Sequence, residues 1–135
     1  MKTIIWIMAL LLLIAALLPR EVNSDYIAPN DPVEVIEIPH YVKKEYVEWY
    51  LLVVKEFQDT PVMVAIADAE SDFNPKAKNP HSTASGLFQI IRGTWNAYKC
   101  EGDVFNAYDN IACAKKIYAD SGTVPWNASK HAWAE

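Results

Sequence analysis

The sequence predicts a mainly α-helical protein with at most a short β-hairpin, and three observations carry that expectation. Apolar residues recur at steps of three and four in separate stretches, the spacing that lines one face of a helix. Residues that start and stop helices flank those stretches, Thr60-Pro61 before one and Gly122 after another. Turn-forming residues gather in Asn79 to Gly86, where a hairpin would fit. At 135 residues the chain has room for one such domain.

The N-terminal segment reads as a targeting signal. Lys2 gives a positive start, Thr3 to Leu18 is almost wholly apolar, and Val22-Asn23-Ser24 offers short residues before a cleavage point. The apolar run of 16 residues falls short of the ~20 that span a bilayer comfortably. Residues 1–24 are therefore expected to act as a signal peptide or as an N-terminal anchor, with membrane attachment through residues 3–18 as the second reading. No Cys follows the run, which argues against a lipidated anchor. Either way the chain is expected to be exported, to the periplasm or beyond. Residues 25–40 hold Pro29, Pro32 and Pro39 among acids, and read as an extended acidic linker. The domain proper is expected at 41–135.

Charge narrows the partners. The whole chain has 12 basic and 17 acidic residues; losing residues 1–24 removes Lys2, Arg20 and Glu21 and leaves a net charge of −6. Nucleic-acid binding asks for clustered Lys and Arg and is excluded. The acidity is concentrated before residue 60, and beyond it the balance is close to neutral.

From Tyr41 to about Phe57, the residues Tyr46, Trp49, Tyr50, Val53, Val54 and Phe57 make one apolar helical face. Thr60 is expected as the N-cap and Pro61 as the first residue of a second helix, which should end before Pro75. Leu87 to Ile91 suits a strand or an irregular buried segment. Gly93-Thr94 opens a helix toward Tyr98, and Asp103 to Asp120 forms another, with Ile111, Ala114, Ile117 and Tyr118 on one side. Cys100 and Cys113 suit one disulfide in an oxidising compartment, with two buried free thiols as the alternative. His40, His81 and His131 lack metal-ligand spacing, so no metal and no cofactor is expected.

Glu70 stands out chemically. Residues three, four and seven before it on the helix are Ala67, Ile66 and Met63, so its carboxyl leaves from the apolar face. Desolvation there raises its pKa, and the unpaired carbonyls of the last turn push the same way. A carboxyl kept neutral can protonate a glycosidic oxygen. A Glu that only caps or pairs at a helix end would satisfy the same pattern. Asp68 and Asp72 are expected on a more solvated side.

The string Ala69-Glu70-Ser71, then Ser85-Gly86-Leu87-Phe88-Gln89-Ile90, then Asp109-Asn110-Ile111, resembles the SLT-type lytic transglycosylases. These belong to the lysozyme-like superfamily and are related to goose-type lysozymes. The resemblance covers about residues 60–121 and implies a small lysozyme-like domain that acts on peptidoglycan glycan strands, as a monomer. Glu70 would be the general acid and then the base. Ser71 would bond near the sugar or orient Glu70, Gln89 would contact the N-acetylmuramyl unit, and Gly86, Leu87 and Phe88 would bring backbone close to the glycan. Asn110 would steady the site. The family commonly ends in a Tyr-Asn-Ala-Gly segment whose Tyr approaches the Glu; here Trp126-Asn127-Ala128-Ser129 stands instead. Each Trp is expected to pack in the core, with Trp126 the best candidate to meet a sugar.

A two-carboxylate hydrolase would take Asp72 or Asp109 as partner, neither at a family nucleophile position. The expected reaction is therefore the one-carboxyl cleavage between N-acetylmuramic acid and N-acetylglucosamine, giving a 1,6-anhydro product. The alternatives are a hydrolytic muramidase of the same fold, or a non-cutting glycan-binding module of a secretion or conjugation apparatus.

Overall fold

The computed structural model describes residues 36–134. Residues 1–24, with their apolar run, and the linker up to residue 35 lie outside the described residues. Contacts divide the chain into Met1–Ile36 and Glu37–Glu135, and the architecture below is that of the second unit.

The unit is helical, with no sheet among the described residues. A single 3₁₀ turn at Lys44–Tyr46 leads into α1 (Val47–Glu56). The start is later than Tyr41 because the Pro39 carbonyl is taken by Val42 N (3.0 Å) in a tight turn and Lys43 is extended. Tyr50, Val53 and Phe57 bury the face that the periodicity marked. Helix α2 (Val62–Ser71) begins without a side-chain cap, so the expected role of the Thr60 hydroxyl is corrected. The Thr60 carbonyl accepts Met63 N (2.9 Å) instead, and Pro61, expected as the first helical residue, is the N-cap, where its missing N–H costs nothing.

Asp72 and Phe73 both take positive φ, 50° and 60°, and turn the chain sharply out of α2. Asp tolerates this conformation; for Phe it costs roughly 1–2 kcal/mol. The turn drives Phe73 into the core, edge-on to Tyr50 at 5.2 Å, and burial of such a ring stabilises by about 1.5–3 kcal/mol. The hairpin shrinks to two isolated antiparallel bridges, Lys78 with Ser85 and Ser85 with Ile90. Leu87 to Ile91 is not a strand, because Gly86 (φ 78°) and Gln89 (φ 46°) break the extension.

Helix α3 (Arg92–Ala97) and α4 (Ala107–Ser121) follow. The latter starts at Asn106, whose side chain accepts from Tyr108 N and Asp109 N, and not at Asp103. Cys100 and Cys113 are disulfide-bonded with Cα atoms 5.4 Å apart, which ties the α3–α4 connection to α4 and removes the free-thiol alternative. Past Gly122 comes a 3₁₀ segment, Val124–Ser129, then the short α5 (Lys130–Trp133). The core joins Val53, Met63, Ile66, Ala67, Leu87, Phe88 and Ala114, all with no exposed surface. No helix among the described residues is long and apolar enough to cross a membrane.

Candidate active site

Glu70 continues the face of α2 on which Met63, Ile66 and Ala67 are completely buried. Its own side chain is partly buried and lines a cleft of about 280 Å³. Burial pushes the carboxyl above the usual glutamate range, and a hydrogen bond from Ser129 Oγ (2.5 Å to Oε1) pulls the other way. No cation pairs with it: the two ion pairs among the described residues are Lys43–Asp72 and Lys115–Glu56. Asp68, expected on a solvated side, is itself partly buried, and burial first, then Asp72, raises its pKa.

The wall beside Glu70 is the segment Gly86 to Ile90, and side chains from three other elements hold it. Ser71 Oγ, at the end of α2, lies 2.8 Å from the Leu87 carbonyl and 3.0 Å from that of Ala67. Asn110 on α4 is fully buried: its Oδ1 accepts Phe88 N (3.0 Å), and its Nδ2 donates to Val104 O (2.9 Å) and Ser85 O (3.3 Å). Trp126 Nε1 donates to the Phe88 carbonyl (2.9 Å). Phe88 thus has both backbone groups satisfied by side chains, as a buried irregular segment must. Gly86 is required by close approach as well as by its φ: a Cβ there would lie 2.3 Å from both Asn110 Nδ2 and Val104 O.

Three of the residues singled out in the sequence meet at the cleft: Glu70, Gln89 and Trp126. Gln89 Nε2 donates to Ala77 O and Gly86 O, while its Oε1 has no protein partner among the described residues. Trp126 is 5% exposed, packed edge-on to Phe88, and shows the cleft only its rim. Ser71 and Asn110 stand behind this segment and set its position; Gly86, Leu87 and Phe88 belong to it, with the Leu87 and Phe88 side chains in the core. Sequence reasoning missed Ser129, which touches the carboxyl, and Ile91, Thr94 and Ala128, which line the cleft. The one signal for Ser129 was its place where the resembling family carries its Tyr-containing segment.

A larger groove of about 670 Å³ runs along Lys78, Thr83, Arg92, Trp95 and Phe105 and shares Ile90 with the cleft. It holds no part of Glu70. The smaller cleft is the one that contains the desolvated acid. No group of three or more His, Cys, Asp or Glu among the described residues could hold a metal ion.

One buried-side carboxyl at a helix end, over a cleft walled by a pinned Gly-Leu-Phe-Gln loop, defines a small lysozyme-like domain. The family described as "Transglycosylase SLT domain" matches residues 54–123, more than half of the chain, and the chain belongs to that family. Its function is accordingly related to peptidoglycan and of the lytic transglycosylase type. Neither the curated proteins nor the solved structures gave a match. The matched span stops at residue 123, short of the tail that carries Trp126, Ser129 and Trp133.

Proposed function

We infer that this chain is a peptidoglycan lytic transglycosylase with Glu70 as its only catalytic carboxyl. The observation that carries this reading is the cleft lining: among its residues Glu70 is the one acid, and it is desolvated without a cationic partner. Asp72 is exposed and bound to Lys43, and the Asp109 carboxylate is occupied by Asp103 N, so neither is a free second carboxylate. A single acid suits a reaction in which the substrate supplies the nucleophile.

Protonated Glu70 gives its proton to the oxygen between C1 of N-acetylmuramic acid and the next N-acetylglucosamine, and that C–O bond breaks. The carboxylate left behind takes the proton of the muramyl 6-hydroxyl as O6 bonds to C1, closing a 1,6-anhydro ring. The acid is restored, and no water is consumed. Gln89 Oε1 accepts from a sugar hydroxyl or acetamido N–H, and Thr94 and the Trp126 rim flank the ring. Residues 1–24 serve export or anchoring, 25–40 form a spacer, and 41–135 form the catalytic monomer.

The test is the mass of the products from purified cell walls. Anhydro-muramyl products, lighter by one water than their hydrolysed equivalents, are expected. Hydrated products would make the protein a muramidase, and intact walls after prolonged incubation would make it a glycan-binding module.

A further inference from the structure

The tail beyond the family match brings a hydroxyl to the catalytic carboxyl. Ser129 Oγ lies 2.5 Å from Glu70 Oε1, 3.0 Å from the Trp126 carbonyl and 3.0 Å from Trp133 Nε1. An indole N–H only donates and a carbonyl only accepts. Trp133 therefore fills a lone pair of Ser129 Oγ, and the one hydroxyl proton is left with two acceptors, Glu70 Oε1 and Trp126 O.

We propose that Ser129, seated by Trp133, is a positioning residue that fixes which oxygen of Glu70 carries the acidic proton and steadies the carboxylate once that proton has left. This rests on the reading of Glu70 as acid and base. When Glu70 is protonated, Oε1 still accepts from Ser129, so the proton resides on Oε2, which has no protein partner among the described residues. When Glu70 is ionised, the bond to Oε1 becomes charge-assisted and outcompetes the Trp126 carbonyl. The hydroxyl thus favours the ionised state and opposes the burial that disfavours it, in keeping with the two influences acting on this carboxyl. None of the charged or titratable groups on the packed elements, Asp68 on α2, Arg92 on α3, Tyr118 on α4 and Lys130 and His131 on α5 among them, hydrogen-bonds or ion-pairs with the Glu70 carboxyl. The balance lies between apolar burial and one serine.

The test compares the full chain, purified in detergent, with Ser129→Ala, Ser129→Thr and Trp133→Phe. Two readouts are taken: ¹³C-NMR titration of labelled glutamate carboxyls, with the Glu70 signal assigned by its loss in Glu70→Gln, and the pH dependence of wall cleavage. In Ser129→Ala the Glu70 titration and the falling, high-pH limb of the rate profile should both move upward. Its kcat should drop about tenfold, the worth of one hydrogen bond to a charged group, with KM little changed. Ser129→Thr should restore both, and Trp133→Phe should move both in the same direction by less. An unmoved titration in Ser129→Ala overturns the proposal, even if activity or melting temperature falls. Should Ser129→Ala not fold, the Trp133→Phe titration decides in its place. A wild-type chain that cuts no wall while its Ser129→Ala titration moves as expected would refute the glycan-cutting reading and leave the positioning role standing.

Discussion

Replacing Asn110 by Ala should loosen the whole wall of the cleft, and the structure allows the cost to be worked out. Three backbone groups lose the Asn110 side chain, but Ser85 O keeps Ile90 N at 3.1 Å. Phe88 N and Val104 O lose the partner they have, in a site where Asn110 itself has no exposed surface. A buried polar group left unpaired costs about 1–3 kcal/mol, so the two together cost about 4 kcal/mol. For a unit of this size each kcal/mol lowers Tm by roughly 4–8 °C, giving a fall of about 20 °C. Thermal unfolding by far-UV circular dichroism, with the disulfide intact, measures it. Asn110→Asp is the discriminating control: one carboxylate oxygen still accepts Phe88 N, and the other faces the Val104 carbonyl. Its folded pKa is thereby raised, so its stability is fullest at low pH, where the protonated oxygen donates to Val104, and is lost as pH rises through that pKa. A fall in Tm of only a few degrees for Asn110→Ala, or an Asn110→Asp variant whose Tm does not recover on acidification, would refute this account of the wall.

Other outcomes follow from the same geometry. Glu70→Gln should slow wall cleavage by at least ~10²–10⁴-fold, as turbidity clearing would show. Because burial raises the Glu70 pKa, ionisation penalises the folded wild type as pH rises through that value, so Glu70→Gln should melt no lower than wild type near neutral pH and gain on it with rising pH. Reducing the Cys100–Cys113 bond, with a sequence separation of 13, should cost about 3 kcal/mol in the chain-entropy model, read as a lower urea midpoint in reductant. A chain starting at Tyr41 should fold and cut glycan. One starting at Thr60 should be molten, because Tyr50, Val53 and Phe57 each bury a side chain worth about 1.5–3 kcal/mol; near-ultraviolet circular dichroism separates the two.

What could be read in the sequence was what depends on neighbours along the chain. The apolar face of Met63, Ile66 and Ala67 announced the desolvation of Glu70, because helical periodicity is local. The buried faces of α1 and α4 followed for the same reason. Helix starts were less legible: Asn106 outranks Asp103, and Thr60 opens α2 by its carbonyl instead of its hydroxyl. The path of Leu87 to Ile91 was not legible at all. Its left-handed residues and its pairing are dictated by Ser71, Asn110 and Trp126, which lie 16 to 38 residues away from their partners. Ser129 escaped notice because nothing near it in sequence is acidic; its partner is 59 residues back.

That separation has a consequence for when the cleft is assembled. Glu70 is synthesised 59 residues before the hydroxyl that bonds its carboxyl. Until that hydroxyl is in place, a nascent chain carries Glu70 as a hydrated carboxylate without its serine partner. The partly buried carboxyl with its serine partner forms only when the Val124–Ser129 turn docks against α2. Docking of the Ser129 turn against α2 is thus the step that gives the Glu70 carboxyl its final surroundings.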